Sequence, residues 1–289
     1  MSRIAYVNGR YAPHNHAQGS IEDRGFQFAD GVYEVIWVAN GRLVDEIPHL
    51  DRWDRSLVEL HIAPAMARAS LRQVMAQVVK RNRVRDGILY MQQTRGASPR
   101  NAPCPNSIAP TLTMTARNQP LPSDDLVENG GALGSVPEIR WSRCDVKSVA
   151  LLANVLSKQS ARECGATEAV FVREADRVVT EGGSSNVFMV DPNGTLVTHP
   201  ATTAILGGIT RERVIKLASE LGIPVELRPF TLDEALAARE VFVTSTTLAV
   251  LPIVRIDESA IGNGHPGSIS LQLNQAYRGF CRAPEGHRT

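Results

Sequence analysis

The sequence has few cysteines, no excess of charge of either sign and no long apolar run, and each absence excludes a class of protein. The four cysteines have neither the spacing of a metal site nor that of a redox motif; they are Cys104, Cys144, Cys164 and Cys281. With 31 basic and 30 acidic residues the net charge is +1, so there is no electrostatic basis for binding nucleic acid or an anionic membrane. No stretch is apolar for long enough to be a signal peptide or a membrane span. A protein of the reducing cytoplasm is therefore expected.

One lysine stands directly before a predicted helix. From Ser148 onward apolar residues recur at helical spacing, and Gly165 stands where such a helix would end; the apolar residues are Val149, Leu152, Val155 and Leu156. Ser148 is the predicted cap, which places Lys147 just outside the first turn. The positive end of the helix dipole favours loss of a proton from an amine there. A lysine must have a neutral amine to condense with an aldehyde, so this position suits such a lysine.

Two further stretches offer groups that suit a flat, phosphorylated ligand. Glu181 ends an apolar run and is followed by Gly182 and Gly183, which let such a ligand approach the backbone. The pair Gly207 and Gly208 runs into a predicted helix, whose free N–H groups suit a phosphate. Together these groups suit pyridoxal phosphate. The lysine can bind its aldehyde, the carboxylate its ring nitrogen and the N–H groups at the helix start its phosphate.

With these stretches in place, the sequence resembles the fold-type IV (class IV) pyridoxal-phosphate-dependent aminotransferases, and within them the D-amino-acid transaminases. The matching motifs run from Ile21–Val35 (IEDRGFQFADGVYEV) to Val243–Thr247 (VTSTT). The resemblance implies a two-domain α/β (α+β) fold with a small N-terminal α/β domain and a larger C-terminal domain. It also implies that the site lies at the domain and dimer interface.

The resemblance assigns roles to individual residues. Lys147 is the catalytic lysine, which carries pyridoxal 5'-phosphate and moves the alpha proton of the substrate as general acid and base. Glu181 keeps the ring nitrogen protonated. The remaining cofactor contacts are Arg52, which occurs in the sequence His-Leu-Asp-Arg, Leu206 against the ring face, the N–H groups of Ile209 and Thr210, and Thr246.

The substrate residues implied by the resemblance are Tyr33, Thr247 and Arg100. Tyr33 lines the pocket, and Arg100 reaches the site of the partner subunit, where it holds the substrate carboxylate; this requires at least a homodimer. The chain departs from the family pattern at Ala102, where the D-amino-acid transaminases usually carry a histidine, and at Leu248, where a polar residue is frequent.

The expected reaction transfers the amino group of a D-amino acid, such as D-alanine or D-glutamate, to a 2-oxo acid. The alternatives within the same fold are an (R)-selective amine transaminase, a branched-chain aminotransferase and an aminodeoxychorismate lyase. A non-catalytic protein that binds pyridoxal phosphate is the alternative outside enzymology. The partners expected are small molecules, with no nucleic acid, membrane or metal; His14 and His16 are predicted to be surface residues because no third ligand is evident.

The domain boundary is predicted from a stretch rich in proline and polar residues. The N-terminal domain is expected at 1–118, a linker at 119–125, the domain that binds pyridoxal phosphate at 126–281 and a frayed tail at 282–289. A hairpin is predicted around Asn8 and Gly9, and helices are predicted from His49, over 70–82 and over 268–280.

Overall fold

The structure is a computed structural model, in which residues 3–105 and 107–283 are described. The chain divides into two compact units. The first unit contains Met1–Pro120 and Val146–Leu151, and the second contains Leu121–Asp145 and Leu152–Thr289. Within the described part of the chain, no helix is both long and apolar enough to cross a lipid bilayer.

The first unit is built on a six-stranded antiparallel sheet with the strand order β2-β1-β6-β5-β3-β4. Its strands are β1 (Ile4–Val7), β2 (Arg10–Pro13), β3 (Gly31–Ala39), β4 (Arg42–Leu43), β5 (Gly87–Thr94) and β6 (Thr111–Asn118). The hairpin predicted around Asn8 and Gly9 is confirmed: both residues have positive φ angles, 44° and 91°, as a two-residue hairpin turn requires.

Three helices accompany this sheet, α1 (Arg24–Phe28), α2 (Glu46–Glu59) and α3 (Arg68–Arg81). Leu50, Trp53 and Leu57 recur at helical spacing on α2 and pack in the core with Met75 and Val78 of α3. The sheet contributes the inward-facing residues of its alternating strands, which are Val32, Ile36, Val38, Leu89, Met91, Leu112 and Met114. The predicted helices near residues 49 and 70 are confirmed, each with an earlier start.

Residues 146–151 belong to the first unit, although the sequence prediction assigned them to the second domain and started a helix at Ser148. The N–H group of Tyr33 donates to the carbonyl of Lys147 over 3.0 Å, and the N–H group of Val149 donates to Gly31 over 3.0 Å. Ser148 pairs with Val32 as an antiparallel bridge. These backbone groups are used in pairing with β3, so they cannot form the first turn of a helix. The predicted helix start at Ser148 is therefore wrong, and the helix, α5, spans Leu152–Glu163.

The second unit contains a nine-stranded mixed sheet. Its strands are β7 (Gly131–Pro137), β8 (Glu168–Val172), β9 (Val179–Gly182), β10 (Asn186–Val190), β11 (Leu196–Thr198), β12 (Val225–Leu227), β13 (Glu240–Ser245), β14 (Ala249–Ile256) and β15 (Ser259–Ala260). Along the sheet the order is β12-β11-β10-β13-β14-β7-β8-β9, and β15 pairs with β14. Pairing is parallel for β7 with β8, β7 with β14 and β11 with β12.

The helices of the second unit are α4 (Asp124–Asn129), α5, α6 (Ile209–Glu220), α7 (Leu232–Leu236) and α8 (Ser268–Arg282). The predicted closing helix is confirmed, and it continues two residues beyond the expected end. β6 extends to Asn118 and α4 starts at Asp124, so residues 119–123 have no regular secondary structure. The tail predicted at 282–289 lies outside the described residues, except for Arg282 at the end of α8 and Ala283.

Candidate active site

Lys147 lies in the extended segment that pairs with β3, five residues before α5. Its backbone N–H group lies 3.4 Å from the hydroxyl of Ser56, and its carbonyl accepts from Tyr33. Its Nζ atom lies 4.2 Å from the centroid of the Tyr33 ring. The expected effect of a helix dipole on this amine is wrong for this geometry, because the lysine is not at a helix start. A strand edge and an aromatic face position the amine instead.

Tyr33 and its neighbour Tyr90 form an aromatic pair on the first unit. Their ring centroids are 5.9 Å apart with an angle of 30° between the planes. Because side chains alternate along β3, Tyr33 faces away from the core residues Val32 and Ile36. The predicted substrate residue is therefore placed on the same side of the strand as the amine of Lys147.

Arg52 lies on α2, where it is 7% exposed and is held by a buried carboxylate. Its Nε and Nη2 atoms donate to the two oxygens of Glu34 over 2.7 and 2.8 Å. His49 Nδ1 lies 2.8 Å from the same carboxylate. Burial opposes ionisation of Glu34, but the charge and hydrogen bonds of Arg52 and the hydrogen bond of His49 outweigh it and lower the pKa of Glu34 to about 2. The orientation of Arg52 is thus set by an ionised carboxylate on the core side of β3.

Glu181 lies at the end of β9 in the second unit, and both of its carboxylate oxygens are hydrogen-bonded. Oε1 accepts from Nη1 of Arg140. Oε2 accepts from the backbone N–H of Leu206 over 3.0 Å and from the side chain of Asn186 over 3.2 Å. Donors on both oxygens favour the charged form of a carboxylate.

Arg140 connects Glu181 to a second carboxylate. Its side chain is 5% exposed, its Nε atom donates to Glu138 over 2.9 Å, and its guanidinium carbon lies 4.3 Å from the centre of the Phe171 ring. Burial opposes ionisation of Glu138, but the hydrogen bond from Arg140 lowers the pKa of this carboxyl below its ordinary value. The group formed by Glu138, Arg140 and Glu181 carries one net negative charge.

The predicted phosphate contacts Ile209 and Thr210 form the first turn of α6. The cap position is Gly208, which has no side chain to bond the N–H groups of that turn. A Cβ atom added at Gly208 would lie 2.0 Å from the side-chain oxygen of Asn186. The absence of a side chain at 208 is therefore required for Asn186 to reach Glu181 and, over 2.9 Å, the carbonyl of Leu206.

Thr246 and Thr247 lie in the turn between β13 and β14 of the second unit. The turn is close to Asn186, because Thr244 at the end of β13 pairs with Asn186 at the start of β10. Leu248 is half-buried against the apolar core, and Ala249 is fully buried. The second unit thus brings together Glu181, Leu206, the start of α6 and, one strand away, the threonine turn.

The remaining predicted site residue, Arg100, lies on an exposed loop of the first unit. Its guanidinium carbon is 4.7 Å from the centroid of the Phe28 ring. Ala102 is exposed two residues later. The first unit therefore holds Lys147, Tyr33, Arg52 and Arg100.

Comparison with known proteins gives the family. The model of the amino-transferase class IV family matches residues 31–256. A D-alanine aminotransferase of Bacillus licheniformis is 42% identical over 269 residues, which are 93% of this chain and 94% of that protein. A D-alanine aminotransferase of Staphylococcus haemolyticus is 37% identical over 96% of this chain and 98% of that protein.

The chain belongs to the class IV aminotransferase family.

A solved structure agrees with this assignment. A branched-chain amino acid aminotransferase from T.th., solved with pyridoxamine 5'-phosphate, is similar with a TM-score of 0.90 and 26% identity, over 99% of this chain and 96% of that one. The fold expected from the sequence, the two-domain α/β fold of the fold-type IV enzymes, is confirmed.

The residues of this class IV aminotransferase fit pyridoxal phosphate. The carboxylate of Glu181 is held by three donors, as a partner of a protonated ring nitrogen should be. The helix start at Gly208 presents N–H groups that suit a phosphate. Two hydroxyls beside Asn186, Ser185 Oγ and Thr244 Oγ1, are buried and have no hydrogen-bond partner among the described residues, so this region retains capacity for polar contacts.

Four residues that contact the candidate site residues or their loop were not found from the sequence. Glu34 and Arg140 hold Arg52 and Glu181, Asn186 joins Glu181 to Leu206, and Arg24 binds the loop of Arg100. Side chains alternate along β3, so Glu34 and Tyr33 lie on opposite faces of the strand. A charged residue on the core-facing side was the only sequence feature that could have indicated the role of Glu34. Arg140 and Arg24 bind residues that are distant in sequence, and the contacts of Asn186 depend on the backbone geometry.

Proposed function

We propose that this protein transfers the amino group of D-amino acids such as D-alanine or D-glutamate to a 2-oxo acid. The observation that carries the proposal is full-length similarity, at 42% and 37% identity, to D-alanine aminotransferases. The branched-chain enzyme with the same fold is only 26% identical. The motif from Ile21 to Val35 supports the same activity, as do the groups that contact Lys147 and Glu181.

Lys147 is the residue proposed to bind the cofactor and to move the proton. Pyridoxal phosphate supplies a ring that accepts the electron pair left when the alpha proton departs. The amine of Lys147 would take the proton from the alpha carbon of the substrate and deliver it to the carbon of the cofactor that carries the aldehyde, which is the shift that an amino transfer requires. The face of Tyr33 and the backbone pairing with β3 restrict where this amine can move.

Glu181 is proposed to keep the ring nitrogen protonated, and it must remain ionised to do so. Arg140 and the N–H of Leu206 stabilise its charged form. A lone guanidinium would also repel the proton on the ring. Glu138 offsets that charge, so the group retains the negative charge that a pyridinium partner needs.

Binding is assigned to the remaining predicted residues. Arg52 contributes a guanidinium that is held by Glu34, and Arg52, the first turn of α6 and Thr246 are the residues that would hold the phosphate. Arg100 binds the substrate carboxylate, with Tyr33 and Thr247 lining the pocket. Because Ala102 has no polar side chain, Arg100 provides the charge in this loop without help from residue 102.

A homodimer is part of this proposal. Leu152, Val155 and Leu156 lie on one face of α5 and are 72%, 60% and 55% exposed. Exposed apolar faces of this kind mark protein interfaces, and a second copy is the partner that the role of Arg100 requires. A cytoplasmic location is also proposed, supported by four cysteines that are all free thiols.

A substrate panel tests the proposed reaction. D-Alanine, L-leucine and (R)-1-phenylethylamine are offered separately with 2-oxoglutarate, and glutamate formation is measured together with the chirality of the product. We expect the highest kcat/KM with D-alanine and D-glutamate as product. A preference for L-leucine would indicate a branched-chain aminotransferase, and a preference for the amine would indicate an amine transaminase; either result contradicts the proposal.

A further inference from the structure

Arg24 is a buried arginine whose guanidinium binds the backbone of the loop that carries Arg100. It is 3% exposed. Its Nη1 atom donates to the carbonyl of Asn101 over 2.6 Å and its Nη2 atom to the carbonyl of Ala102 over 3.0 Å. Its Nε atom donates to Asp30 over 2.8 Å. A planar guanidinium can make all three bonds at once, whereas a lysine ammonium cannot reproduce this fork.

Asp30 supplies the counter-charge for Arg24 and also for Arg95. Arg95 Nε lies 2.7 Å from the same carboxylate. Burial opposes ionisation of Asp30, but hydrogen bonds from Arg95 and Arg24 lower its pKa below the ordinary value. The buried charge of Arg24 is therefore compensated, and its two Nη atoms remain directed at the loop.

The loop is anchored on both sides of Arg100. On the N-terminal side, Arg24 N–H donates to the carbonyl of Gly96 over 2.8 Å, and Ser98 N–H donates to Glu22 over 3.2 Å. On the C-terminal side, the carbonyls of residues 101 and 102 are bound by the Arg24 side chain. Only one residue, Pro99, lies between Ser98 and Arg100, and the bound carbonyl of Asn101 follows directly. The direction of the Arg100 side chain is thus limited at its base.

The ring of Phe28 contacts the side chains of both Arg24 and Arg100. The guanidinium carbons of Arg24 and Arg100 lie 4.9 and 4.7 Å from the centroid of its ring. An aromatic ring near two cations stabilises each of them at a fixed distance. α1 therefore contributes both an arginine that binds the loop backbone and a ring that contacts the functional side chain.

We infer that Arg24 is a positioning residue that sets the affinity of this enzyme for the carboxylate of its substrate by orienting Arg100. The inference rests on the proposed role of Arg100. It also gives Ala102 a part, because residue 102 contributes its carbonyl to the anchor rather than a side chain to the substrate. Because a single guanidinium binds the carboxylate, a displacement of the Arg100 backbone directly weakens binding of the substrate.

The test compares two substitutions of Arg24 with one of Arg100. In Arg24→Met and Arg24→Lys, the KM for D-alanine and the inhibition constant of propionate, a simple carboxylate, are expected to rise on the order of tenfold to a hundredfold. Arg100→Met is the reference for complete loss of the guanidinium. In the two Arg24 variants, the kcat and the visible absorbance of bound pyridoxal phosphate are expected to stay near those of the unchanged enzyme, because Lys147 and Glu181 are not altered.

Arg95→Met is the matched control for loss of a partner of Asp30. The other bonds of Arg95 go to the carbonyls of Leu60 and His61, not to the loop of Arg100. This variant is expected to unfold at a lower temperature while its KM for D-alanine stays near that of the unchanged enzyme. A KM raised as much in Arg95→Met as in Arg24→Met would overturn the inference, because general destabilisation would then explain both.

Two results separate this inference from the proposed function. If Arg100→Met raises the KM and the propionate constant but both Arg24 variants leave them unchanged, the positioning role is wrong and the function stands. If Arg100→Met itself leaves both constants unchanged, the carboxylate role of Arg100 is wrong and the inference falls with it. Arg24→Lys retains the positive charge, so it provides a folded variant if Arg24→Met does not fold.

Discussion

Glu34 is a charged residue on the core side of a strand, and it remains ionised because two basic side chains compensate it. It is fully buried, between Val32 and Ile36 in the alternation of β3. Arg52 binds both of its oxygens, and His49 binds one. Removal of one member of such a group leaves an unpaired buried charge, which costs more than the loss of a surface ion pair.

Glu34→Gln is therefore expected to lower the free energy of unfolding by about 3–5 kcal/mol at neutral pH. It should also change the acid dependence of stability. The pKa of Glu34 is about 2 in the folded protein, against an ordinary value of 4.5, so the unfolded chain binds the proton more tightly. The stabilisation is complete above pH 4.5 and is lost as the pH falls towards 2.

Urea unfolding from neutral to acidic pH measures this effect. Burial also lowers the pKa of His49, against the opposing effect of Glu34, so His49 adds acid sensitivity of the same sign. In Glu34→Gln the decline of stability below pH 4.5 should be shallower than in the unchanged protein. The exposed Glu220→Gln is the control, and it should follow the unchanged protein. Equal acid slopes for Glu34→Gln and the unchanged protein would contradict the account.

The motifs mark the candidate site residues in the sequence, whereas the residues that hold them in place were not found there. Lys147 and Glu181 were singled out because each residue type, in its local setting, suits one group of the cofactor, and Arg52 was assigned by the resemblance to the family. Arg140 is 41 residues from Glu181 in sequence, and Arg24 is 77 residues from Asn101. No local pattern connects such pairs, since the fold alone brings them together.

At the scale of elements, the N-terminal hairpin and the helices near residues 49, 70 and 268 follow from local sequence patterns, and the main error has a clear cause. Apolar spacing from Val149 to Leu156 is helical, but Val149 pairs with Gly31 in an extended segment. The exposed residues Leu152, Val155 and Leu156 then form a face that looks like a core-facing one in sequence. A single sequence does not distinguish a helix face that packs inside the chain from one that packs against another molecule.

The close packing of Gly208 against Asn186 at the start of α6 gives a prediction for a substitution of this glycine. In Gly208→Ala the new Cβ would lie 2.0 Å from Asn186, which would have to leave Glu181 and Leu206. We expect weaker binding of pyridoxal phosphate and a lower melting temperature. The backbone of Gly208 has φ −71° and ψ 132°, which alanine adopts readily, so any effect is steric.

Gly207→Ala is the matched comparison for this variant. Its Cβ would meet no atom closer than 3.8 Å, that of Ala201. Titration of the apoprotein with pyridoxal phosphate, followed by the change in absorbance, gives the dissociation constant of each variant. If Gly207→Ala and Gly208→Ala lose affinity equally, the role assigned to Asn186 is wrong.

For the whole molecule, the apolar face of α5 predicts assembly. Leu152→Glu combined with Leu156→Glu places two charges on a face that a second copy should bury, which is expected to shift the protein towards monomers. Sedimentation velocity measures the change. Activity should fall with dissociation, because Arg100 is proposed to act on the site of the partner subunit.

Leu227→Glu is the control for added charge on the second unit. Leu227 is 53% exposed on β12 and lies outside the face of α5. This variant should sediment like the unchanged protein. A double variant that keeps the unchanged sedimentation coefficient and full activity would show that this face does not form the dimer.

The amine of Lys147 is proposed to bond to the aldehyde of pyridoxal phosphate. The most direct measurement is borohydride reduction of the loaded protein, followed by tryptic digestion and mass spectrometry. The visible absorbance is expected to be lost and the reduced cofactor to be found on Lys147, with no such label in Lys147→Ala. A label on another lysine, such as Lys158 or Lys216, with Lys147 unmodified would contradict it.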